Sequence, residues 1–265
     1  MPKKKSALPE ILLGLVVLCG LSCSPSKPES AVSDPVLLDY SVLRTMPHDT
    51  KSFTQGLVIH QGQLYESAGQ NNSWIGLVDI QTGVADKKVT LDSKYFGEGI
   101  TILNNKIYQL TWQSKTGFVY SLGTFEKLSE FAYETEGWGL THNGTHLIMS
   151  DGTEALYFLD TVSLAVEKKM GITYNGKPVR GLNELEYVDG FIYANIWPSN
   201  LIAKIDLSNG QVAGFMDLSE LANQAKALHG RSEVVNGIAW HESTKMLLVT
   251  GKNWPLIFIL KLKTN

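Results

Sequence analysis

Five short segments of this 265-residue chain open alike, with a small polar cluster followed by an apolar, strand-like run. They are "TQGLVI", "GEGITI", "GWGLTH", "LNELEY" and "VNGIAW", centred on Gly56, Gly99, Gly139, Glu184 and Gly237. A second apolar segment follows each ("QLYES", "KIYQLTW", "HLIMSDG", "FIYANIW", "MLLVTGK"), then a third. Four of the five also have a fourth ("VADKKVTL", "KLSEFAY", "VEKKMGI", "VAGFMDL"). Turn signals such as "HQG", "LNN", "HNG" and "VDG" join the first two strands of most units, as hairpins require. Four antiparallel strands per unit, repeating every 40–50 residues or so, is the pattern of a β-propeller. A β-sandwich uses similar strands but has no need of five aligned openings. The fifth unit runs out of chain after its third strand, and "LLDYSVLRTM", residues 37–46, is available to supply the fourth. Such an exchange closes the ring and leaves no free edge. The expected fold is therefore all-β: a five-bladed propeller over residues 37–265, closed by an N-terminal strand.

The first 36 residues differ in kind. Lysines at positions 3–5 precede an apolar run from Ile11 to Leu21, which is too short to span a bilayer comfortably and has the layout of a secretory signal. "GLSC" resembles a bacterial lipoprotein signal with Cys23 as the lipid-bearing residue, although Gly20 and Leu21 depart from the usual pattern. A plain cleaved signal or a single-pass anchor are the other readings. The Ser/Pro/Glu-rich stretch after Cys23 reads as a flexible tether. The expectation is an exported protein, periplasmic or membrane-anchored, of a bacterium. Both cysteines, Cys19 and Cys23, fall in this segment, so the remainder has no disulfide, thiol nucleophile or cysteine metal site. A net charge of −3 with 18% charged residues gives no basic footprint for nucleic acid.

In a propeller the innermost strands line a central channel, so aligned residues form rings around it. The residue before each central position reads Gln55, Glu98, Trp138, Asn183 and Asn236. A second ring, thirteen residues past the centre, reads Gly69, Trp112, Gly152 and Trp197, with Lys252 in that place in the fifth unit. One acid, three amides, three tryptophans and one lysine thus converge on one mouth, the makeup of a ligand pocket. Glu98, between two glycines, is the acid of this set.

Other chemistries find little support. The six histidines do not cluster, and His48 reads as structural. No nucleophile elbow, P-loop or dinucleotide motif appears. Glu130, Glu134 and Glu136, or the pair Glu184 and Glu186, supply the carboxylates that a glycosidase would use. Glu184 and Glu186, however, alternate with Leu185, which suits hydrogen bonding between blades.

The phrases "MPHDTKSFTQGL", "LYESAG", "YFGEGI", "YQLTW", "EGWGL", "MSDGT", "LNELEYVDGFIYANIW", "NGIAW" and "VTGKNWP" resemble the glutaminyl-peptide cyclotransferases of the plant and bacterial type, from about Tyr40 to Leu260. That family is a five-bladed propeller. The resemblance implies conversion of an N-terminal glutamine of peptides or proteins to pyroglutamate with release of ammonia. It also implies site residues at Phe53, Gln55, Glu98, Trp112, Trp138, Asn183, Trp197 and Lys252, all but Phe53 already in the two rings. No cofactor and no metal are expected, since the residues offer no ligand cluster.

In that reaction the α-amine attacks the γ-amide carbon of its own residue. One carboxylate between the two nitrogens, Glu98, would serve both as base and as acid. Tryptophans around it would raise its pKa and Lys252 would oppose the rise; the sequence leaves the balance open. Gln55, Asn183 and Lys252 are the candidate donors to the oxyanion. A closed ring needs no partner, so a monomer is expected. The alternatives are a non-catalytic periplasmic ligand-binding propeller, which would not need the ring acid, and a propeller hydrolase or lactonase. The latter would need a metal, and one carboxylate with several amides is a weak set for a divalent ion.

Overall fold

Val, Ile, Leu, Tyr and Phe fill the inner strands, which are buried on both faces between blades, and each such run forms a strand ended by a turn. The computed structural model describes residues 35–70 and 72–263. The expected leader, with Cys23, lies outside them. The first blade is Thr54–His60, Gln63–Ala68, Trp74–Val78 and Ala85–Thr90, each strand antiparallel to the next. The second is Gly97–Leu103, Lys106–Thr111, Thr116–Ser121 and Lys127–Ala132. The third runs from Leu140–His142 to Val166–Gly171 and the fourth from Leu182–Val188 to Gln211–Asp217.

In the fifth blade Val235–His241, Met246–Gly251 and Leu256–Leu262 are completed by Tyr40–Pro47, paired antiparallel from Tyr40 opposite Leu262 to Pro47 opposite Leu256. The N-terminal strand closes the ring as expected. Two additions depart from the four-strand plan. A small hairpin, Thr173–Tyr174 and Lys177–Pro178, widens the fourth blade to six strands. A helix, α1, spans Ser219–Leu228 between the fourth and fifth blades; it explains why the interval from Glu184 to Gly237 is the longest of the repeat.

The apolar residues gather in five clusters, one between each pair of neighbouring blades. Leu57, Leu64 and Val78 of the first blade meet Leu248, Ile257 and Ile259 of the fifth across the closure. Leu221 and Ala225 of α1 join the cluster of the fourth and fifth blades, beneath Trp254. The blades also touch through backbone. The Gly99 amide donates to the Trp138 carbonyl at 2.7 Å, and a Cβ on Gly99 would lie 2.5 Å from the Leu140 nitrogen, so only glycine fits. Glu184 crosses the axis: its two carboxyl oxygens accept from the amides of Leu57 (3.2 Å) and Ile238 (2.8 Å). Glu186 accepts from the Trp240 amide at 2.7 Å. These two acids tie blades together, as their alternation with Leu185 indicated. The outer strands of the first three blades are exposed. Lys87, Lys168 and Lys169 there lie 4.5–5.0 Å over the rings of Phe125, Phe158 and Tyr157, and charged edge residues of this kind discourage edge-to-edge pairing.

The stretch leading from the closing strand into the first blade is pinned by a buried pair. His48 Nε2 lies 3.2 Å from Glu66, whose same oxygen also accepts from Ser52 and from Thr54 (2.7 Å). The other His48 nitrogen meets the Trp254 carbonyl at 2.9 Å. Burial opposes both charges, but the attraction between them and their hydrogen bonds prevail: His48 is raised and Glu66 lowered. The raised histidine adds stability that is full below its unfolded pKa and is lost as pH climbs through the folded one. The lowered carboxylate adds stability that is lost as pH falls below the usual carboxylate range. The thermal midpoint should therefore fall at both ends, and Glu66→Gln should flatten the profile in a calorimetric pH series.

Candidate active site

The ring residues owe their aim to irregular ladders. Register slips between Thr54 and Gly56, Gly97 and Ile100, Leu182 and Leu185, and Val235 and Ile238. These are the places of Gln55, Glu98, Asn183 and Asn236, and a bulge re-aims the side chains it carries. In the third blade the strand starts only at Leu140, and Trp138 stands ahead of it. The mouth so formed holds a cavity of about 480 Å³, within the usual range for small-ligand sites. All eight expected residues line it: Phe53, Gln55, Glu98, Trp112, Trp138, Asn183, Trp197 and Lys252. A groove of about 520 Å³ lies elsewhere, between the fourth and fifth blades, but none of the charged side chains lining it is buried. The axial cavity, with Glu98 4% and Lys252 6% exposed, is the place for chemistry.

One ring member is corrected. Asn236 is fully buried and does not reach the cavity; it lies beneath Gln55, donating to the Gln55 side-chain oxygen at 3.0 Å and to the Thr54 carbonyl at 2.9 Å. With its oxygen so engaged, Gln55 turns its NH2 toward Glu98 and hydrogen-bonds the carboxyl. Asn236 therefore positions Gln55, and Gln55 positions Glu98.

The balance left open by the sequence now has a direction. Burial raises the Glu98 carboxyl well above the usual range, against the pull of Lys252 and of the Gln55 hydrogen bond, with the Glu136 charge adding to the rise. Burial likewise lowers the Lys252 ammonium, against the pull of Glu98 and Glu233. Taking two charges out of water costs more than their attraction returns, so both groups are drawn toward their neutral forms. Asn183 lines the cavity, and its side-chain oxygen is buried without a protein partner.

The aromatic residues make a collar. Lys252 Nζ sits 4.6 Å over Phe53. Phe53 meets Phe96 edge-on at 6.2 Å, Phe96 meets Trp112 at 5.8 Å, and Trp138 meets Trp197 at 5.7 Å. Trp112 and Trp197 are 38% and 47% exposed, so they form the rim. The glycines of the second ring make room for this collar. A Cβ on Gly152 would strike the Trp138 indole at 2.6 Å, and φ is +77° there; a Cβ on Gly69 would strike Phe96.

Sequence reasoning missed Phe96, Pro198, Glu233 and Val234, which also line the cavity, and it read Glu136 only as one of a run of acids. A signal was present. Phe53, Phe96, Glu136 and Val234 each stand two positions before a ring residue, where an extended chain presents the same side. Among the described residues, no group of three or more histidine, cysteine, aspartate or glutamate side chains is placed to hold a metal ion.

Fold and site together define a five-bladed β-propeller with a buried acid–lysine pair inside an aromatic mouth. A sequence profile described as glutamine cyclotransferase matches residues 15–262. The glutaminyl-peptide cyclotransferase of Arabidopsis thaliana is 40% identical over 229 residues, 85% of this chain and 72% of the plant protein. The crystal structure of Myxococcus xanthus glutaminyl cyclase superposes with a TM-score of 0.82 at 33% identity, covering 87% of this chain and 99% of that one. The chain belongs to the glutamine cyclotransferase family.

Proposed function

We propose that this protein cyclises the N-terminal glutamine of peptides or proteins to pyroglutamate, releasing ammonia, with Glu98 as the proton carrier. The observation that carries this reading is one buried carboxyl, held by burial well above the usual carboxylate range, lining a cavity large enough for a terminal residue. A positioned acid–base group works best when its pKa lies near the operating pH, and burial moves this carboxyl in that direction.

The proposed steps need one such group. The amine loses a proton to Glu98 as its nitrogen bonds to the γ-amide carbon, giving a tetrahedral centre whose oxygen takes the carbonyl electrons. Glu98 then hands the proton to the amide nitrogen, the carbon–nitrogen bond breaks, and ammonia departs as the carbonyl re-forms. Of the three candidate donors to the oxyanion, Gln55 is engaged by Glu98 and Asn236, which leaves Asn183 and Lys252. The indoles hold the side chain folded toward its own amine, where proximity speeds ring closure, and attract the ammonium before it deprotonates.

Incubating the full chain with Gln-Ala, with and without chelator, and measuring ammonia together with the pyroglutamyl product tests the reading; a protein that binds the dipeptide but leaves it intact would be the non-catalytic propeller instead. A second result is expected at Lys252. Its charge pulls Glu98 down, so Lys252→Met should move the acid limb of the kcat/KM profile to higher pH, and a limb that stays in place would remove Lys252 from the pair. The leader supports an exported protein anchored through Cys23, and the closed ring supports action as a monomer.

A further inference from the structure

The aromatic collar is not joined ring to ring throughout. Trp112 belongs to the second blade and Trp138 to the third, and no ring contact joins them. A single carboxyl oxygen does: Glu136 Oε2 accepts from the Trp112 indole N–H at 2.7 Å and from the Trp138 indole N–H at 2.9 Å. Its other oxygen accepts from Gln113 at 3.2 Å. The chain around it is tied to the same place, since the Gly137 amide donates to the Trp112 carbonyl at 3.0 Å. Partial burial opposes ionisation here, but hydrogen bonds from Trp138, Gln113 and Trp112 keep the carboxyl below the usual range. Hydrogen bonds to an ionised acceptor are the strong ones, and two of them on one oxygen fix both ring planes at once.

We propose that Glu136 is a positioning residue of the cyclisation: it locks the Trp112 and Trp138 indoles into one wall, against which the terminal glutamine folds. The inference rests on the proposed function for what the wall does, and on geometry alone for how the wall is held. An indole N–H without a partner leaves a tryptophan free to swing about its side-chain torsions. Trp112, exposed at the rim and held otherwise by Phe96, is the ring most exposed to that loss.

Two variants separate placement from charge. Glu136→Ala removes the acceptor, and kcat/KM on Gln-Ala should fall about 10–100-fold, with kcat reduced and KM raised, as misplaced positioning groups cause. Glu136→Gln keeps an oxygen where Oε2 stands, and the Gln113 amide can turn to face the new NH2; it should restore most of that loss. The side-chain indole resonances of Trp112 and Trp138 in a ¹⁵N-edited spectrum should shift in Glu136→Ala and stay close to wild type in Glu136→Gln. Wild-type kcat/KM in Glu136→Ala, or equal losses in the two variants, would overturn the proposal. If the wild-type protein releases no ammonia, the functional reading fails, while the indole resonances still decide whether Glu136 holds the wall.

Discussion

Glu98→Gln should leave a folded protein whose kcat on N-terminal glutamine falls about 10²–10⁴-fold, the usual worth of a positioned acid–base group. Gln keeps the shape and the hydrogen bond to Gln55 but cannot carry a proton between the two nitrogens. Its stability should move the other way. An acid whose folded pKa is raised lowers stability above its unfolded pKa, and the whole cost is present above the folded one. Because burial raises Glu98, Glu98→Gln should unfold at a higher denaturant concentration than wild type at pH 8 and at the same concentration near pH 4. Sites of chemistry commonly carry such a cost in stability. A variant that lost activity and stability together would point to a structural acid instead.

The second large effect is expected at the axis. Glu184 is fully buried, and its two oxygens serve amides of the first and fifth blades from the fourth. Glu184→Ala leaves two buried N–H groups without acceptors, at about 1–3 kcal/mol each. Removing the buried carboxyl returns part of this, because burial and Glu186 hold Glu184 well above the usual range. A net loss of about 2–4 kcal/mol follows, or roughly 5–15 °C in Tm for a domain of this size. Glu184→Gln, with one acceptor oxygen, should lose about half as much. The axial cavity lies at the mouth and Glu184 does not line it, so kcat at a temperature where the variant is folded should stay near wild type. Guanidinium unfolding alongside the ammonia assay separates the two predictions: Glu98 governs turnover and Glu184 governs the closed ring.

The ring was legible because its blades repeat. Five strand openings and a missing last strand are features of periodicity, and the closing strand fell at Tyr40–Pro47, within a few residues of the expected 37–46. The role of Glu184 and Glu186 was also legible, since alternation with the buried Leu185 sets them on the opposite side of the strand, where they accept from amides of other blades. What was not legible lies where local rules bend. The helix Ser219–Leu228, "SELANQAKAL", is rich in helix formers but sat unread inside the longest repeat interval. Asn236 occupies a ring position by count, yet its own amide hydrogen bonds hold it beneath Gln55. The spacing of Glu136 two positions before Trp138 puts the two on one side of the chain, but it does not encode two indole N–H groups from different blades meeting at one oxygen.

The most direct test is the titration of the Glu98 carboxyl itself, followed by infrared difference spectroscopy on wild type with Glu98→Gln as the blank. Its midpoint should lie well above the ordinary carboxylate range and coincide with the acid limb of kcat/KM. A midpoint near about 4.3, the value of an unperturbed glutamate, or an acid limb that does not follow it, would contradict the assignment of proton transfer to this residue.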